Sequence, residues 1–428
     1  MSIKSWLMPA ITQHILSREN LLKARARAEK RRRASGERHQ IHYFHQVDDP
    51  YSALAVSVLP KFVGRYDVAL TAHVVGPPPD SAAPEREKLI DYSRKDAELL
   101  ARHWGLKFDD TGRQPSAPQV QHVTEQLVTA AGNGSFVAQA GALSVSLWDT
   151  PADETFAASP MTVQTAAHLT AANALRKRLG HYLGATFYYG GEWYWGIDRL
   201  HHLERRLQEL GAARDGTSDL MFPPDADLEL EVPLVEPEPI DFFFSLRSPY
   251  SAIAMFRVFR LAQLTGARLR LRYVLPMVMR GLPVPPEKRR YIAQDAAREA
   301  FMLGIPFGRI NDPVGRPAER GLALIPYAER VGKAQEYLQS FMRGVWAEGI
   351  DAGSDRGLRK IVERCGLSWE VAGLALKDEC WREVAEQNRQ EMFSMGLWGV
   401  PSFKVGATVV WGQDRLWAVQ QALLKAAP

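Results

Sequence analysis

Ser248 followed by Pro249 places a hydroxyl at a helix start, because serine is a favoured N-cap and proline suits the first helical position. Asp49-Pro50 repeats the arrangement with a carboxylate in place of the hydroxyl. The two cysteines of the chain, Cys365 and Cys380, form neither a Cys-x-x-Cys redox pair nor a four-ligand zinc set. So low a cysteine content fits a reducing compartment, and a cytoplasmic location is expected. His39, His42 and His45 suggest metal ligands, but positions three apart on a strand face opposite sides, so no metal is expected there. His201-His202 reads as a helix-surface pair. No glycine-rich nucleotide loop, zincin motif or serine-hydrolase elbow is present.

The elements that must position these residues occur twice. Ile41-His-Tyr-Phe-His-Gln-Val with Asp49-Pro50-Tyr51-Ser52-Ala53 can be laid on Ile240-Asp-Phe-Phe-Phe-Ser-Leu with Ser248-Pro249-Tyr250-Ser251-Ala252 after a shift of 199 residues. Gly196-Ile-Asp198-Arg199-Leu200 matches Gly412-Gln413-Asp414-Arg415-Leu416 at a shift of 216. A duplicated domain with central insertions of unequal length accounts for both. Each copy reads as strand (43–47; 240–246), helix, strand (66–75; 268–275), long helical stretch, Gly-bounded hairpin and closing helix. In the second copy the helical stretch spans about 286–395, the hairpin 401–411 with its turn at Gly406-Ala407, and the last helix 414–425. The order predicts an α/β chain of two tandem thioredoxin-like domains, each with an inserted helical subdomain.

Four segments follow: a basic helical leader over 1–40, a first domain over 41–213, an acidic proline-rich linker over 214–239, and a second domain over 240–428. The linker holds eight acidic residues and five prolines, a composition suited to an extended tether. The net charge of +4 divides into +7 in the leader and −3 in the remainder, so the leader says nothing about the site. In the leader Ile3, Leu7, Ile11 and Ile15 recur every four residues, and 21–34 alternates alanine with arginine. No apolar run reaches the roughly 18 residues needed to span a bilayer. A solvated or self-docking helix is expected, with weak contact to an acidic membrane or partner left open. Nucleic acid is disfavoured because no aromatic residues interleave with the basic run.

The second copy resembles the 2-hydroxychromene-2-carboxylate isomerase family, kin of kappa-class glutathione transferases and of DsbA-type thiol oxidoreductases. The resemblance rests on Asp241-Phe-Phe-Phe-Ser-Leu-Arg247-Ser248-Pro249-Tyr250-Ser251, Lys288-Arg-Arg-Tyr291-Ile-Ala-Gln-Asp295, Val345-Trp346-Ala-Glu348-Gly349-Ile350, Gly399-Val400-Pro401-Ser402-Phe403 and Trp411-Gly412-Gln413-Asp414-Arg415-Leu416, in the family's order over about 190 residues. It implies a DsbA-like fold and glutathione as cosubstrate. Ser248 takes the place of a redox cysteine and would stabilise the glutathione thiolate, with Arg247 beside it to neutralise charge. Val400-Pro401 would be the cis-proline element against which an extended peptide pairs. Gln413 and Asp414 would hold the γ-glutamyl end, although Asp414 equally reads as a helix cap. Lys288 would meet a glutathione carboxylate, but the asparagine usual upstream in kappa transferases is missing from Arg280-Gly-Leu-Pro-Val-Pro-Pro.

The resemblance implies a glutathione-dependent isomerase or transferase acting on a small electrophilic, aromatic substrate. In the first copy Asp49 puts like charge where the thiolate would lie, and Gly184-Ala185-Thr186 lacks the proline. That copy is expected to keep the fold without the site and to serve as an intrachain pseudo-dimer partner. The competing expectation is a non-catalytic DsbA-like scaffold that binds peptides or partners without redox activity.

Overall fold

The structure is a computed structural model that describes residues 3–150, 160–225, 229 and 233–426. The chain divides into two compact units. The N-terminal unit comprises Lys23–Pro224 with Pro285–Tyr291; the C-terminal unit comprises Met1–Leu22, Asp225–Val284 and Ile292–Pro428. The leader expected as one segment is therefore shared between units, and a short piece of the second copy groups with the first. The linker differs from an extended tether in its first part. Arg214 N donates to Arg65 O, Met221 N donates to the Glu204 carboxylate, and Phe222 is buried. Linker residues 226–228 and 230–232 lie outside the described residues.

The leader forms α1 (Ile3–Leu16) and α2 (Arg18–Ser35). The N-terminal unit continues with β1 (His39–Gln46), α3 (Pro50–Arg65), β2 (Val68–Val75), α4 (Arg86–Trp104), α5 (Ala117–Asn133), α6 (Phe136–Asp149), α7 (Val163–Leu179), β3 (Thr186–Tyr189), β4 (Glu192–Trp195) and α8 (Leu200–Glu209). The C-terminal unit is built from β5 (Ile240–Phe244), α9 (Pro249–Thr265), β6 (Leu269–Tyr273), most of α10 (Pro286–Met302), α11 (Arg316–Ala323), α12 (Ile325–Arg330), α13 (Ala334–Trp346), α14 (Asp355–Glu363), α15 (Trp369–Ala375), α16 (Trp381–Ser394), β7 (Ser402–Val405), β8 (Thr408–Trp411) and α17 (Leu416–Ala426).

Each unit has one four-stranded sheet, ordered β2-β1-β3-β4 and β6-β5-β7-β8. The first pair is parallel and the others antiparallel, and the registers coincide under the sequence shifts. Ile41 pairs with Leu70 as Ile240 pairs with Leu269, and Phe44 pairs with Thr186 as Phe243 pairs with Ser402. A one-residue slip would turn every side chain to the other face, so equal register means equal placement of the strand ends that carry the candidate residues. β5 is buried along its whole length, which suits a central strand covered on both faces; Phe242 stacks on Phe403 with ring centroids 5.3 Å apart.

His201 and His202 are buried on α8, in contrast to the surface pair expected from sequence. The strand histidines have separate partners: His39 the Tyr189 hydroxyl, His42 the His73 ring, His45 the Tyr43 hydroxyl. Among the described residues no helix is long and apolar enough to cross a membrane.

The loop before β7 is fixed by close packing, because a Cβ at Gly399 would overlap the Trp411 ring. Gly399→Ala should therefore cost about 1–3 kcal/mol through overpacking. Gly373→Ala in α15, where an added methyl meets nothing, should be neutral or stabilising. Thermal melts of the two variants beside the parent check both; equal melting for Gly399→Ala and the parent would contradict the packing argument.

Candidate functional site

The candidate site grows from the end of β5. After Phe244 the chain turns through Ser245-Leu246-Arg247, closed by Ser248 N donating to Ser245 O at 3.0 Å. Ser248 then caps α9 in an extended conformation; its Oγ accepts from Ser251 N at 3.1 Å, and Pro249 occupies the first turn. The same hydroxyl donates its proton to the carbonyl of Val400 at 3.2 Å. The Val400-Pro401 peptide bond is cis, and the Pro401 carbonyl accepts from Gly412 N at 2.9 Å. Ser248, Val400, Pro401 and Gly412 thus lie along one short chain of contacts within the C-terminal unit. The free amides of the α9 N-terminus and the helix dipole favour negative charge at this point.

Gln413 follows Gly412 and is buried. Its Nε2 donates to the Glu299 carboxylate at 2.8 Å, while Arg257 donates to its carbonyl and to its Oε1. Asp414 sits half-buried in the 3-10 turn Gln413–Arg415, with Oδ1 3.5 Å from the Arg415 guanidinium. Tyr250 donates its hydroxyl to Asp295 at 2.8 Å, tying α9 to α10. Trp346 donates its indole N–H to Leu246 O, and its ring stacks on Phe307.

Two expected residues have partners of their own in the structure. The Arg247 guanidinium forms a two-pronged ion pair with Asp312, both bonds at 2.8 Å, so its charge already has a carboxylate partner. Lys288 groups with the N-terminal unit, where its Nζ donates to Ala82 O at 2.7 Å and lies 5.8 Å from the centre of the Tyr182 ring. Burial pushes the Lys288 ammonium down to about 8. Lys288 is therefore buried and bonded within that unit, in contrast to the solvated run read from sequence.

Glu299, Arg257 and Asp312 were not singled out from sequence, and Asp295 entered only as the end of a family motif. The repeat itself held a signal for one of them: the shift that carries Tyr51 to Tyr250 also carries Asp96 to Asp295, and Tyr51 donates to Asp96 at 2.8 Å as Tyr250 does to Asp295. No comparable signal marks Asp312, which reaches Arg247 from a loop 65 residues away.

The chain's own thiols lie elsewhere. Cys365 donates to Val362 O and its thiol is pushed up by burial; Cys380 is exposed and its thiol is pushed up by the neighbouring Asp378. Neither caps α9.

In the N-terminal unit the same junction has different chemistry. Asp49 caps α3, accepting from Tyr51 N, Ser52 N and Ser52 Oγ. Burial outweighs these bonds and pushes its carboxyl up to about 7. Gly184 and Ala185 stand where Val400 and Pro401 stand in the other unit; a Cβ at Gly184 would strike Gln46. Ala185, at φ 53, nevertheless accepts from Gly196 N as Pro401 accepts from Gly412 N.

Residues 239–424 match the family model described as DSBA-like thioredoxin domain. The C-terminal half carries a DsbA-like thioredoxin domain. Over 192 residues the chain is 26% identical to the 2-hydroxychromene-2-carboxylate isomerase of Pseudomonas putida, a match covering 43% of this chain and 93% of that enzyme. Over 193 residues it is 23% identical to the enzyme of the same name from Sphingobium xenophagum, covering 43% and 97%. Solved structures similar to it include a 2-hydroxychromene-2-carboxylate isomerase at TM-score 0.37 and 25% identity, covering 44% of this chain and 94% of that one. Another is the cytosolic disulfide reductase DsbM from Pseudomonas aeruginosa with GSH, at TM-score 0.34 and 20% identity, covering 44% and 99%. At the start of its first helix the C-terminal DsbA-like domain has serine, where thioredoxin-fold redox proteins have cysteine.

The Asp49 shift has a definite sign. Between about pH 4, where an unfolded aspartate titrates, and about 7, the folded state holds a proton that the unfolded state has released, so this group makes stability fall as pH rises through that window. Asp49→Asn, which keeps the cap without the ionisation, should flatten that slope and raise the melting temperature at pH 8. Melting curves of parent and variant from about pH 4 to about pH 8 test it; superimposable pH profiles would refute the assignment.

Proposed function

We propose that the C-terminal unit is a glutathione-dependent enzyme, an isomerase or transferase that acts on a small electrophilic aromatic substrate. The observation that carries the reading is the Ser248 hydroxyl, placed at the α9 N-terminus and against the Val400 carbonyl with no chain cysteine beside it. The similarity to proteins named 2-hydroxychromene-2-carboxylate isomerase supports the reaction class.

The donor set fits a thiolate. The Ser248 hydroxyl proton, now directed at Val400 O at 3.2 Å, makes a long bond and can turn to a stronger acceptor while Oγ keeps the bond from Ser251 N. A charge-assisted bond of this kind, with the helix dipole behind it, lowers the thiol titration below its usual range near roughly 8.5. Glutathione supplies the nucleophile: its thiolate forms a bond to carbon of a conjugated acceptor, and that bond breaks again in isomerisation or persists with uptake of a proton in transfer. The loop at Val400 offers an extended peptide backbone partners beside the helix start. Gln413, fixed by Glu299 and Arg257, holds the turn on which Asp414 stands, and Asp414 supplies a carboxylate suited to an ammonium group.

The test is calorimetric binding of reduced glutathione together with ultraviolet titration of the bound thiolate. The parent should bind glutathione with its thiol titrating below the free value. Ser248→Ala should raise that titration by roughly one to two pH units, the worth of a hydrogen bond to a charged group. Absence of binding at millimolar glutathione, or a thiol titration indifferent to Ser248→Ala, would refute the proposal and leave a non-catalytic scaffold.

A further inference from the structure

β2 is an edge strand of the N-terminal sheet, so among the described residues one side of its backbone has no neighbouring strand. An open edge of this kind is a template for pairing with another chain, and folds cover it. Here α7 provides the cover with three side chains. Val74 N donates to His168 Nε2 at 3.2 Å, Gly76 N donates to Asn173 Oδ1 at 3.1 Å, and Arg176 Nη2 donates to Gly76 O at 3.0 Å. The first of these bonds needs a lone pair on Nε2, so His168 must be neutral with its proton on Nδ1.

His168 belongs to a cluster of three histidines. His73, the residue before Val74, is bonded to His42 through ring nitrogens 3.0 Å apart, and its ring stacks on Phe44. Burial pushes all three imidazoles down, His73 to about 4 with repulsion from His42 and His168 added. Among the described residues no carboxylate is bonded or ion-paired to His42, His73, His168 or Arg176. The packed elements supply no acid close by. α5 brings Glu125 to the start of α7, where it accepts from Thr162 N, and its His122 is exposed. α3, which also packs on β2, has Lys61 and Arg65 and no acid. On β3, Tyr188 pairs with His42, and its hydroxyl is pushed up by burial against the pull of Arg290, Arg206 and Arg31.

The C-terminal unit fills the same positions with fixed charges. Asp241 and Arg272, which correspond to His42 and His73 under the shift of 199 residues, form an ion pair at 2.9 Å, and Arg272 lies 3.7 Å from Glu391 of α16. That fastening holds wherever carboxylates are ionised. The N-terminal one holds only while its imidazoles are neutral.

We infer that α7 is a pH-operated clasp of the N-terminal unit: protonation of the His42–His73–His168 cluster releases α7 from β2 and uncovers the backbone edge at Val74 and Gly76. A proton on His168 Nε2 turns the acceptor into a second donor facing the Val74 N–H. A proton on His42 or His73 adds like charge to a cluster that no acid offsets. An undocked imidazole titrates near about 6.5, so the clasp is closed above that value and is lost as pH falls through it toward about 4. Asp49, in the same unit, changes stability in the opposite direction over this range and cannot produce the loss. His45 is pushed down to about 3 by burial, faces the other side of β1 and acts on the unit as a whole. The clasp uses none of the residues around Ser248, so it stands apart from the proposed glutathione chemistry.

The experiment is amide hydrogen exchange of the full chain, read by mass spectrometry at about pH 7.5 and about pH 5 with the intrinsic pH dependence of exchange removed. Protection over β2 and α7 should fall at least about tenfold at the lower pH, while β1, β3 and the C-terminal α16 keep theirs. His168→Gln, whose side-chain carbonyl accepts at either pH, should stay protected at both; His168→Leu, which accepts at neither, should stay exposed at both. In each variant the change with pH should shrink to less than about threefold. Unchanged protection of β2 and α7 in the parent, or a loss shared equally by β1 and β3, would overturn the proposal. So would either variant keeping the full pH dependence of the parent.

Discussion

The arrangement at the C-terminal site depends on where one hydroxyl proton goes. Ser248 must accept from Ser251 N to start α9, so its single proton is the only thing it has to give, and the loop before β7 receives it at Val400 O. Much else serves that meeting. β5 is buried throughout and delivers Ser248 to its place; the Phe243–Ser402 pairing fixes how far β7 runs before the loop; Gly399 yields to Trp411 so that the loop can lie close. The Gly412 amide then holds the Pro401 carbonyl from the far side. A hydroxyl that donates to a neutral carbonyl at 3.2 Å is weakly committed, and a charged acceptor at the same helix start would compete well for its proton.

The N-terminal unit separates scaffold from chemistry. It keeps the strand order, the register, the Tyr–Asp bond between the second helix position and the insertion, and the amide-to-carbonyl bond behind the hairpin. Ser52 Oγ receives Gln46 N as Ser251 Oγ receives Ser245 N. What changes is the cap and the loop facing it. Asp49 turns a donor into an acceptor, engaged by Ser52 Oγ, and Gly184 lets the loop rest against Gln46. With its titration pushed up to about 7, Asp49 is partly protonated near neutrality, so like-charge repulsion is a smaller part of the contrast than the lost hydroxyl. Features shared by both units are therefore requirements of the fold, and Ser248 with Val400-Pro401 is not among them.

The strands, the hairpin turn and the capping pairs were legible in the sequence because each is encoded locally, by alternation, by glycine at a turn, or by a polar residue before proline. The repeat carried the sheet registers as well. The rest depended on contacts between distant segments. Arg247 faces Asp312 and Lys288 faces Ala82, and in both cases nothing near the lysine or arginine in sequence marks the partner. The His201-His202 pair is buried, a fact that a polar dipeptide conceals. The leader's helices were visible, but which face of each is docked was not, since Thr12 and Arg25 find their partners at Ile310 and Glu192.

The placement of the two cysteines bears on what kind of chemistry the fold retains. A thiol becomes a nucleophile when positive potential stabilises its thiolate, and the start of α9 is such a place. Cys365 is half-buried and donates to a carbonyl, and Cys380, although it stands at the N-cap of α16, lies beside the Asp378 carboxylate; both are pushed toward the protonated form. The chain's own thiols thus lie away from the α9 start, and both are held toward the protonated form. Oxygen at the helix start does not form a mixed disulfide, so electron transfer through that position is closed. A donor hydroxyl beside the Val400 loop remains, and under the proposed function it would lower the titration of a visiting thiol while leaving it free to depart.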